Sequence, residues 1–286
     1  MKRWAACALL AAGCVAPPVS RPPALVPAVP VAAPVRPLPP RLTGTPVQGG
    51  LLRGQAAPDA TITLDGRAVP VAADGSFLLG FDRDAGPQAR LVQSHAGFVD
   101  VVPLTVAPRA WAIERVNAPY RAGKTDAEFA IARPAELAQI AAARALSSDA
   151  QGWRQPLLWP ARGRLSGRFG AQRVYQGKAG SYHSGDDVAA PVGTPVTAPA
   201  DGVVILAADP PFTLEGHLLM IDHGMGLNSA LLHLSRIDVR VGDRVRQGQV
   251  LGAVGRTGRV TGAHLHWSLQ WRGAKLDPSL AAGVMR

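Results

Sequence analysis

This 286-residue chain has little cysteine, and it lacks two motifs that would indicate a helical zinc protease or a phosphate-binding loop. Only two cysteines occur, and cleavage before Cys14 would remove Cys7, so no internal disulfide could then form. The HExxH motif of helical zinc proteases is absent. The glycine-rich run GRTGRVTG is not followed by Gly-Lys-Ser/Thr, which excludes a phosphate-binding P-loop and favours a structural loop.

The net charge of +10 is spread along the chain and forms no compact Lys/Arg patch. No nucleic-acid-binding motif or set of stacking aromatics accompanies the arginines, so we predict no nucleic-acid partner. The apolar content of 47% suffices for two hydrophobic cores in a chain of this length. The charge then indicates either a solvated basic surface or attraction to anionic surfaces and carboxylate-bearing peptides.

What the sequence does contain is a set of metal-binding side chains in its C-terminal half. His183 and Asp187 lie in HSGDD, His233 lies in LLHL, and His264 and His266 lie in AHLHW. Imidazole nitrogen and carboxylate oxygen are zinc ligands, and a catalytic zinc site uses three protein ligands and one open position. The remaining two imidazoles are side chains that can transfer protons and stabilise developing charge during hydrolysis.

Local patterns place these groups on strands. AHLHWSLQW alternates polar and apolar residues, which predicts a strand with His264 and His266 on one face and Leu265 and Trp267 on the other. Gly185 argues against a helix within HSGDD, and the following DVAA predicts a strand that begins near the second aspartate.

Three further histidines have simpler interpretations. For His95 and His217 we favour a hydrogen-bonded structural role, and His223 in IDHG is predicted to fix the turn after a buried strand. HxH or HxxxD alone would be weak indications of a metal site. Their conjunction within one segment of domain size, with glycine-rich turns between the strands, favours a catalytic site.

The sequence between Trp159 and Pro278 resembles the lysostaphin/LytM-type zinc metallopeptidases, which cut the peptide part of bacterial cell walls. The matching segments cover somewhat under half of the chain and include HSGDDVAAPVGTPVTAPADGVV, GHLLMIDHGMGL, LLHLS and VGDRVRQGQVLGAVGRTGRVTGAHLHW. The resemblance implies that His183, Asp187 and His266 bind one Zn²⁺. It also implies that His233 and His264 assist catalysis.

The same resemblance implies a zinc-dependent endopeptidase that hydrolyses peptide stems or crosslinks of peptidoglycan during wall remodelling. One departure is Leu231, which stands where the family commonly has tyrosine two residues before the catalytic histidine; this affects expected substrate contacts but no ligand. The alternative is a non-catalytic LytM-like regulator that activates other wall hydrolases. The intact ligand set favours the enzyme, although a segment of the preceding domain could still fill the groove.

The N-terminus predicts export. Lys2 and Arg3 precede an apolar stretch over 4–12, which is typical of a secretory signal and too short to span a bilayer. Residues 1–14 are therefore a predicted signal peptide. Its end, LLAAGC, resembles a lipobox with Ala11 in the usual leucine position, so we expect a lipid anchor at Cys14 and a location in the periplasm. Plain secretion is the alternative.

The remaining sequence divides into four predicted parts. Ten prolines between Pro17 and Pro40 predict an extended tether over residues 15–41. Short strands and Asp-Gly turns predict a small β-sandwich over 42–108, with a positioning or wall-binding role. Residues 109–155 are a predicted connector whose helix breaks near Pro134, and 156–286 form the metallopeptidase domain. The predicted fold is mostly β, with an antiparallel C-terminal sheet.

Overall fold

Strands make up most of the regular structure in residues 36–117 and 127–285, which the computed structural model describes. The mostly β fold is thus confirmed. The predicted signal peptide 1–14 with Cys14, residues 15–35 of the predicted tether and residues 118–126 of the predicted connector lie outside the described residues. Among the described residues, no helix combines the length and apolar character that crossing a bilayer requires.

The first seven strands build two antiparallel sheets. They are β1 (Arg41–Thr43), β2 (Leu51–Gln55), β3 (Thr61–Leu64), β4 (Arg67–Val69), β5 (Ser76–Gly80), β6 (Gln88–His95) and β7 (Phe98–Thr105). One sheet has the order β1-β2-β5 and the other β4-β3-β6-β7. Asp65-Gly66 forms the tight turn between β3 and β4, with both residues at positive φ, as expected for a type I′ hairpin.

A third, smaller sheet joins the connector to the C-terminal half. The elements here are β8 (Ile113–Val116), α1 (Ala127–Ala145), a 3-10 turn (Gly152–Arg154), β9 (Arg164–Gly167), β10 (Gln172–Tyr175) and β11 (Lys178–Tyr182). β10 and β11 form an antiparallel hairpin, and β8 pairs with β10 in parallel. The connector strand therefore continues a sheet whose other strands belong to the predicted metallopeptidase domain.

A ten-stranded antiparallel sheet carries the C-terminal half. Its further members are β12 (Asp186–Ala189), β13 (Pro195–Thr197), β14 (Gly202–Ala207), β15 (His217–Asp222), β16 (Leu227–Ile237), β17 (Arg244–Val245), β18 (Val250–Val254), β19 (His264–Trp271) and β20 (Ala274–Leu276). The main path is β17-β14-β15-β16-β19-β12-β9, with β13, β18 and β20 paired at its side. A short helix, α2 (Pro278–Ala282), follows the last strand. The prediction of an antiparallel C-terminal sheet is confirmed.

Both faces of the central strands are buried. In β15, successive residues from Leu218 to Ile221 are at most 2% exposed, because one face meets the main core and the other meets α1. The main core is continuous from the N-terminal sheets, through residues such as Phe77 and Leu79, to Trp267 and Trp271 in β19. Such continuous apolar runs are expected for strands that are covered on both sides.

Helix α1 lies on the outer face of the ten-stranded sheet. Ile140 and Ala143 pack there in a cluster with residues of β14, β15 and β16. The helix runs through Pro134, so the predicted break at that residue is wrong. Proline removes one backbone hydrogen bond. Here Pro134 and Ala130, whose carbonyl loses its partner, are both exposed, so water can replace the missing bond.

The N-terminal end of the described chain is attached to the four-stranded sheet. The Arg36 guanidinium donates to Asp100 Oδ1 over 2.7 Å, and Gln93 Nε2 donates to the Leu38 carbonyl over 2.9 Å. Residues 36–40 therefore follow the surface of this sheet before β1 begins.

Candidate metal centre

Two neighbouring strands and the turn before one of them bring three of the predicted site residues together. In the antiparallel pair of β12 and β19, Asp187 lies directly opposite His266. His183 reaches the same point from the HSGDD turn that precedes β12. The turn can approach β19 so closely because residue 185 is glycine: a Cβ there would lie 2.3 Å from the Trp267 carbonyl oxygen and 2.8 Å from His266 Nε2.

The three candidate ligand atoms form a small triangle. His183 Nε2 lies 3.1 Å from Asp187 Oδ1, His266 Nδ1 lies 2.8 Å from the same oxygen, and the two nitrogens are 3.0 Å apart. Tetrahedral coordination with bonds of about 2.0–2.1 Å places ligand atoms about 3.3 Å apart. The triangle therefore has the size that one tetrahedrally bound divalent ion requires.

The hydrogen bonds of His183 fix which ring nitrogen is available to a metal. Its Nδ1 lies 3.1 Å from the Arg168 carbonyl oxygen, which can only accept, so Nδ1 carries the proton. In the neutral ring, Nε2 then presents its lone pair towards Asp187 and His266. A backbone carbonyl that orients a metal-binding imidazole in this way is common around metal sites.

Asp187 and His183 shift each other's pKa towards the charged form. Burial alone would raise the pKa of Asp187, but hydrogen bonds from His183 and His266 outweigh burial and hold its pKa well below the usual range. For His183, burial opposes the charged form, yet the partnership with Asp187 raises the pKa above its usual value. The pKa of His266 is lowered, chiefly by its burial. An ionised carboxylate and two imidazole nitrogens, once these nitrogens have lost the protons that face Asp187, are the donor set that a zinc-like ion accepts.

His264 and His233 flank the triangle. His264 projects from β19 on the same face as His266, and its Nε2 lies 3.7 Å from Asp187 Oδ1. The His233 ring lies 4.9 Å from that of His264 and 6.3 Å from that of His266, between ring centres. On the opposite face of β19, Leu265 and Trp267 are fully buried, as the alternation in AHLHW predicts.

An irregular strand places His233. It lies in a β-bulge of β16, where Leu232 and His233 face the single residue Leu218 of β15. The backbone at His233 has φ +65°, an unfavourable value for a residue with a side chain. Strain of this kind persists where surrounding contacts hold it, and it concentrates at functional sites.

Those contacts come from two loops beside the site. The His233 amide donates to the Glu215 carbonyl over 2.9 Å, and His233 Nδ1 donates to the Thr257 carbonyl over 3.0 Å. Likewise, His264 Nδ1 donates to the Gly262 carbonyl over 3.0 Å. In both neutral rings, Nε2 is consequently the nitrogen with a lone pair. Burial lowers the pKa of His233 to about 4, which keeps this ring neutral at neutral pH.

Asp186 points away from the triangle and has a structural role. It accepts hydrogen bonds from the Phe169 amide over 2.8 Å and from the Ser279 amide over 3.1 Å, and it is 1% exposed. Burial raises its pKa above the usual value. The two adjacent aspartates of HSGDD thus serve different ends: one faces the candidate metal centre, and the other ties α2 to β12.

The histidines predicted to be structural lie apart from the triangle. His223 is fully buried and is held by Nδ1 to the Asp201 carbonyl and by Nε2 to the Ser229 hydroxyl, both over 2.9 Å. His217 Nδ1 donates to the Ala208 carbonyl over 3.0 Å, and His95 ends β6. Leu231, the departure from the family pattern, is fully buried in the main core.

A cleft of about 1090 Å³ opens beside His183 and Asp187. Its walls come from β8, β10 and β11, including Glu114, Gln172 and Tyr182. The connector strand β8 is therefore part of the cleft, which the sequence did not indicate. The cleft offers polar groups along one side of the triangle.

The sequence also provided no indication of two residues that position the site side chains but are not candidate metal ligands themselves. Gly167 in β9 lies opposite Asp187, and a Cβ at this glycine would be 2.3 Å from Asp187 Oδ2. Thr257 holds His233 through its carbonyl, as described above. Neither residue has a local signal in the sequence, because each acts through contacts between distant segments.

The comparisons with known proteins agree with this geometry. Residues 181–278 match the model of peptidase family M23, and this range contains all five predicted site residues. A crystal structure assigned to peptidase M23 from Pseudomonas aeruginosa is 30% identical, with a TM-score of 0.65, and the likeness covers 84% of this chain and 96% of that one. The chain belongs to peptidase family M23.

Curated relatives match less than half of this chain. Peptidoglycan DD-endopeptidase ShyA of Vibrio cholerae is 41% identical over 115 residues, which are 40% of this chain and 26% of the relative. DD-carboxypeptidase/endopeptidase Mpg of Neisseria meningitidis is 38% identical over 124 residues, which are 43% and 27% of the two chains. The chain thus spans about a quarter of the length of the curated relatives it matches.

Proposed function

We propose that this M23 protein is a zinc-dependent endopeptidase that hydrolyses peptide stems or crosslinks of bacterial peptidoglycan. The observation that carries the proposal is the triangle of His183, Asp187 and His266 with two further imidazoles at its edge. The names of the curated relatives, which are peptidoglycan endopeptidases, support the substrate class.

His183, Asp187 and His266 are the proposed holders of one Zn²⁺. When bound there, zinc supplies a Lewis acid for the scissile carbonyl and makes water a nucleophile at neutral pH. The protein fixes the ligands beforehand, since His183 is oriented by the Arg168 carbonyl and Asp187 is ionised. The three candidate ligand atoms already lie 2.8–3.1 Å from one another.

His233 and His264 are the proposed proton-handling residues. Each ring donates from Nδ1 to a backbone carbonyl, so each neutral ring can accept a proton at Nε2. A ring that has accepted a proton becomes a donor, and it can then stabilise negative charge on the substrate or protonate the leaving amine. We assign proton acceptance to His264 and orientation of water or the oxyanion to His233. The geometry also allows the two residues to exchange these roles.

The net charge and the N-terminal sequence support the proposed substrate and location. Wall peptides carry carboxylates, and a chain with a net charge of +10 attracts anionic surfaces. We propose a periplasmic enzyme anchored by a lipid at Cys14, on the strength of the N-terminal sequence alone. Labelling with radioactive palmitate in the native host tests the anchor, and absence of label on the mature chain would exclude it.

Digestion of purified sacculi by the mature chain tests the activity. We expect soluble muropeptides to be released, release to stop with a chelator, and release to return with added zinc. His264→Ala and His233→Ala should be inactive, whereas His95→Ala, a change at the end of β6 away from the site, should retain activity. No release by the wild-type chain under any of these conditions would contradict the proposal. Stimulation of another wall hydrolase in that case would favour the regulator.

A further inference from the structure

Arg83 is a buried arginine that lies in the loop between β5 and β6, within the N-terminal sheets, and is 6% exposed. Its donors point in three directions. Nε donates to the Gly170 carbonyl over 3.1 Å, Nη2 donates to Gln172 Oε1 over 2.9 Å, and Nη1 donates to Asp84 Oδ1 over 2.6 Å. Two of these three acceptors belong to the C-terminal half of the chain.

Aromatic rings surround the same guanidinium. Its central carbon lies 4.7 Å from the centre of the Tyr182 ring and 5.4 Å from that of Trp111. Phe169 contacts both rings edge-on, with centres 5.7 Å and 5.9 Å away. A guanidinium over aromatic faces is favourable, more so where water is excluded. Arg83 is thus the centre of a packed cluster between the N-terminal sheets and the cleft.

Backbone hydrogen bonds connect the segment that Arg83 holds to His183 of the candidate metal centre. The Gly170 amide donates to the His183 carbonyl over 2.8 Å, and the His183 amide donates to the Ala171 carbonyl over 2.8 Å. Arg83 therefore holds the segment to which His183 is bonded through its backbone. The contact runs through the backbone and does not touch the imidazole.

A second route reaches the wall of the cleft. Gln172 and Tyr182 both line it, and Gln172 Nε2 crosses the β10–β11 hairpin to the Gly180 carbonyl over 2.7 Å. The Tyr182 hydroxyl donates to Asp82 Oδ1 over 3.2 Å. Asp82 and Arg83 are adjacent residues of one loop, so this loop contacts both strands of the hairpin.

We infer that Arg83 is a positioning residue of the peptidase, which holds the β10–β11 wall in the conformation that accepts substrate. The inference rests on the proposed function. It gives the N-terminal sheets a direct part in shaping the substrate cleft, beyond any separate role in wall binding. Arg83 is not a catalytic residue, because it reaches neither the triangle nor the open side of the cleft.

Kinetics on a defined crosslinked muropeptide test the inference in the full mature chain. Arg83→Ala should lower kcat/KM by about 10–100-fold, mainly through a higher KM, because a displaced wall weakens substrate binding. Zinc content should stay unchanged. Arg83→Lys should restore only part of the loss, since an ammonium cannot reach Gly170 and Gln172 with a planar fork. The matched control is Arg90→Ala, an exposed arginine of β6, which should behave as wild type.

A second variant and a binding measurement keep the test decisive. If Arg83→Ala does not fold, Gln172→Leu removes one hydrogen-bond acceptor of Arg83 while leaving Arg83 in place. This variant should also raise KM. Affinity for the muropeptide is also measured in the His264→Ala background, where the Arg83 change should weaken binding by a similar factor. An unchanged KM and an unchanged affinity would overturn the inference. If the wild-type chain cleaves nothing, the proposed function fails, and the affinity measurement still decides the role of Arg83.

Discussion

At the scale of single residues, the candidate metal centre depends on Asp187 Oδ1. Three imidazole nitrogens lie 2.8 Å, 3.1 Å and 3.7 Å from this one oxygen. The adjacent strand allows this because it carries no side chain opposite Asp187. Gly167 thus leaves space for the Asp187 carboxylate at the candidate metal centre.

The first prediction concerns that space. Gly167→Ala places a methyl group where Asp187 Oδ2 now lies, so the carboxylate must turn out of its position. We expect zinc affinity to fall about 10–100-fold, the range seen when groups that support metal ligands are changed. Competition with a chromophoric chelator measures the affinity.

Gly86→Ala is the matched control. It makes the same change where no atom lies within 4 Å of the added carbon and no positive φ is required. Equal zinc affinity in the Gly167 and Gly86 variants would show that the position of the Asp187 carboxylate does not depend on Gly167.

A second residue-scale prediction concerns the pH dependence of stability. Burial lowers the pKa of His223 below its ordinary value of 6.5, so the folded protein keeps this ring neutral while the unfolded chain binds a proton. Below pH 6.5, the free energy of unfolding therefore falls as pH falls, with a contribution approaching about 1.4 kcal/mol per pH unit. His223→Asn removes this contribution.

Urea unfolding at several pH values between 8 and 5 measures the effect. At pH 8 the variant should be less stable by about 1–3 kcal/mol, because it loses a buried hydrogen bond. The difference should shrink towards pH 5, since only the wild-type chain loses stability through this histidine. Parallel pH profiles for the two proteins would contradict the assignment.

The sequence predicted the positions of the candidate site residues in the fold better than it predicted their surroundings. The alternation in AHLHW correctly placed His264 and His266 on one face of a strand, since side-chain direction in a strand follows from the backbone alone. The left-handed backbone at His233 and the role of Thr257 were not predictable. Both arise where β16 meets loops that lie far away in the sequence.

At the scale of elements, helix α1 is attached to the loop that supports His233. The Arg133 guanidinium donates two hydrogen bonds of 2.6 Å and 2.8 Å to the Glu215 carboxylate. The backbone carbonyl of Glu215 accepts a hydrogen bond from the His233 amide. Glu136, one turn further along, accepts a hydrogen bond from the Thr213 hydroxyl over 2.8 Å. Burial alone would raise the pKa of Glu136, but bonds from Thr213 and Arg133 outweigh it and lower the pKa.

This attachment gives an element-scale prediction. Arg133→Ala leaves the Glu215 carboxylate, whose side chain is 11% exposed, without its bidentate partner. We expect the free energy of unfolding to fall by about 1–3 kcal/mol, the cost of leaving a mostly buried charged group unpaired. Chemical denaturation measures the loss.

Arg236→Ala is the control for that loss. Arg236 pairs with Asp238 at the surface, where the side chains are 54% and 38% exposed, so its removal should cost less than about 1 kcal/mol. Equal losses in the two variants would show that Arg133 acts as an ordinary surface residue.

The elements themselves were predictable to different degrees. The β19 strand, the strand at DVAA and a helix after residue 126 follow from alternation, turn residues and alanine content. The continuity of α1 through Pro134 did not follow, because the proline rule is local and the contacts of Arg133 and Glu136 on either side of it are tertiary. The parallel pairing of β8 with β10 joins segments about 60 residues apart and has no local signal.

At the scale of the whole molecule, the N-terminal sheets and the ten-stranded sheet share one continuous core. Trp271 of β19 lies against the backbone of β5, where a Cβ at Gly80 would be 3.0 Å from the Trp271 ring. Together with the Arg83 cluster, this contact makes the N-terminal sheets a support for the cleft. The sequence indicated separate runs of strands but could not show that they pack against one another, because packing partners are not encoded in local periodicity.

The central claim is that His183, Asp187 and His266 hold one zinc ion, while His233 and His264 do not. Zinc per chain, measured by elemental mass spectrometry on the purified mature protein and five single alanine variants, tests it most directly. We predict close to one zinc ion in the wild type, His233→Ala and His264→Ala, and little zinc in the variants of the other three residues. Loss of zinc from His233→Ala or His264→Ala, or its retention in any of the other three, would contradict the account.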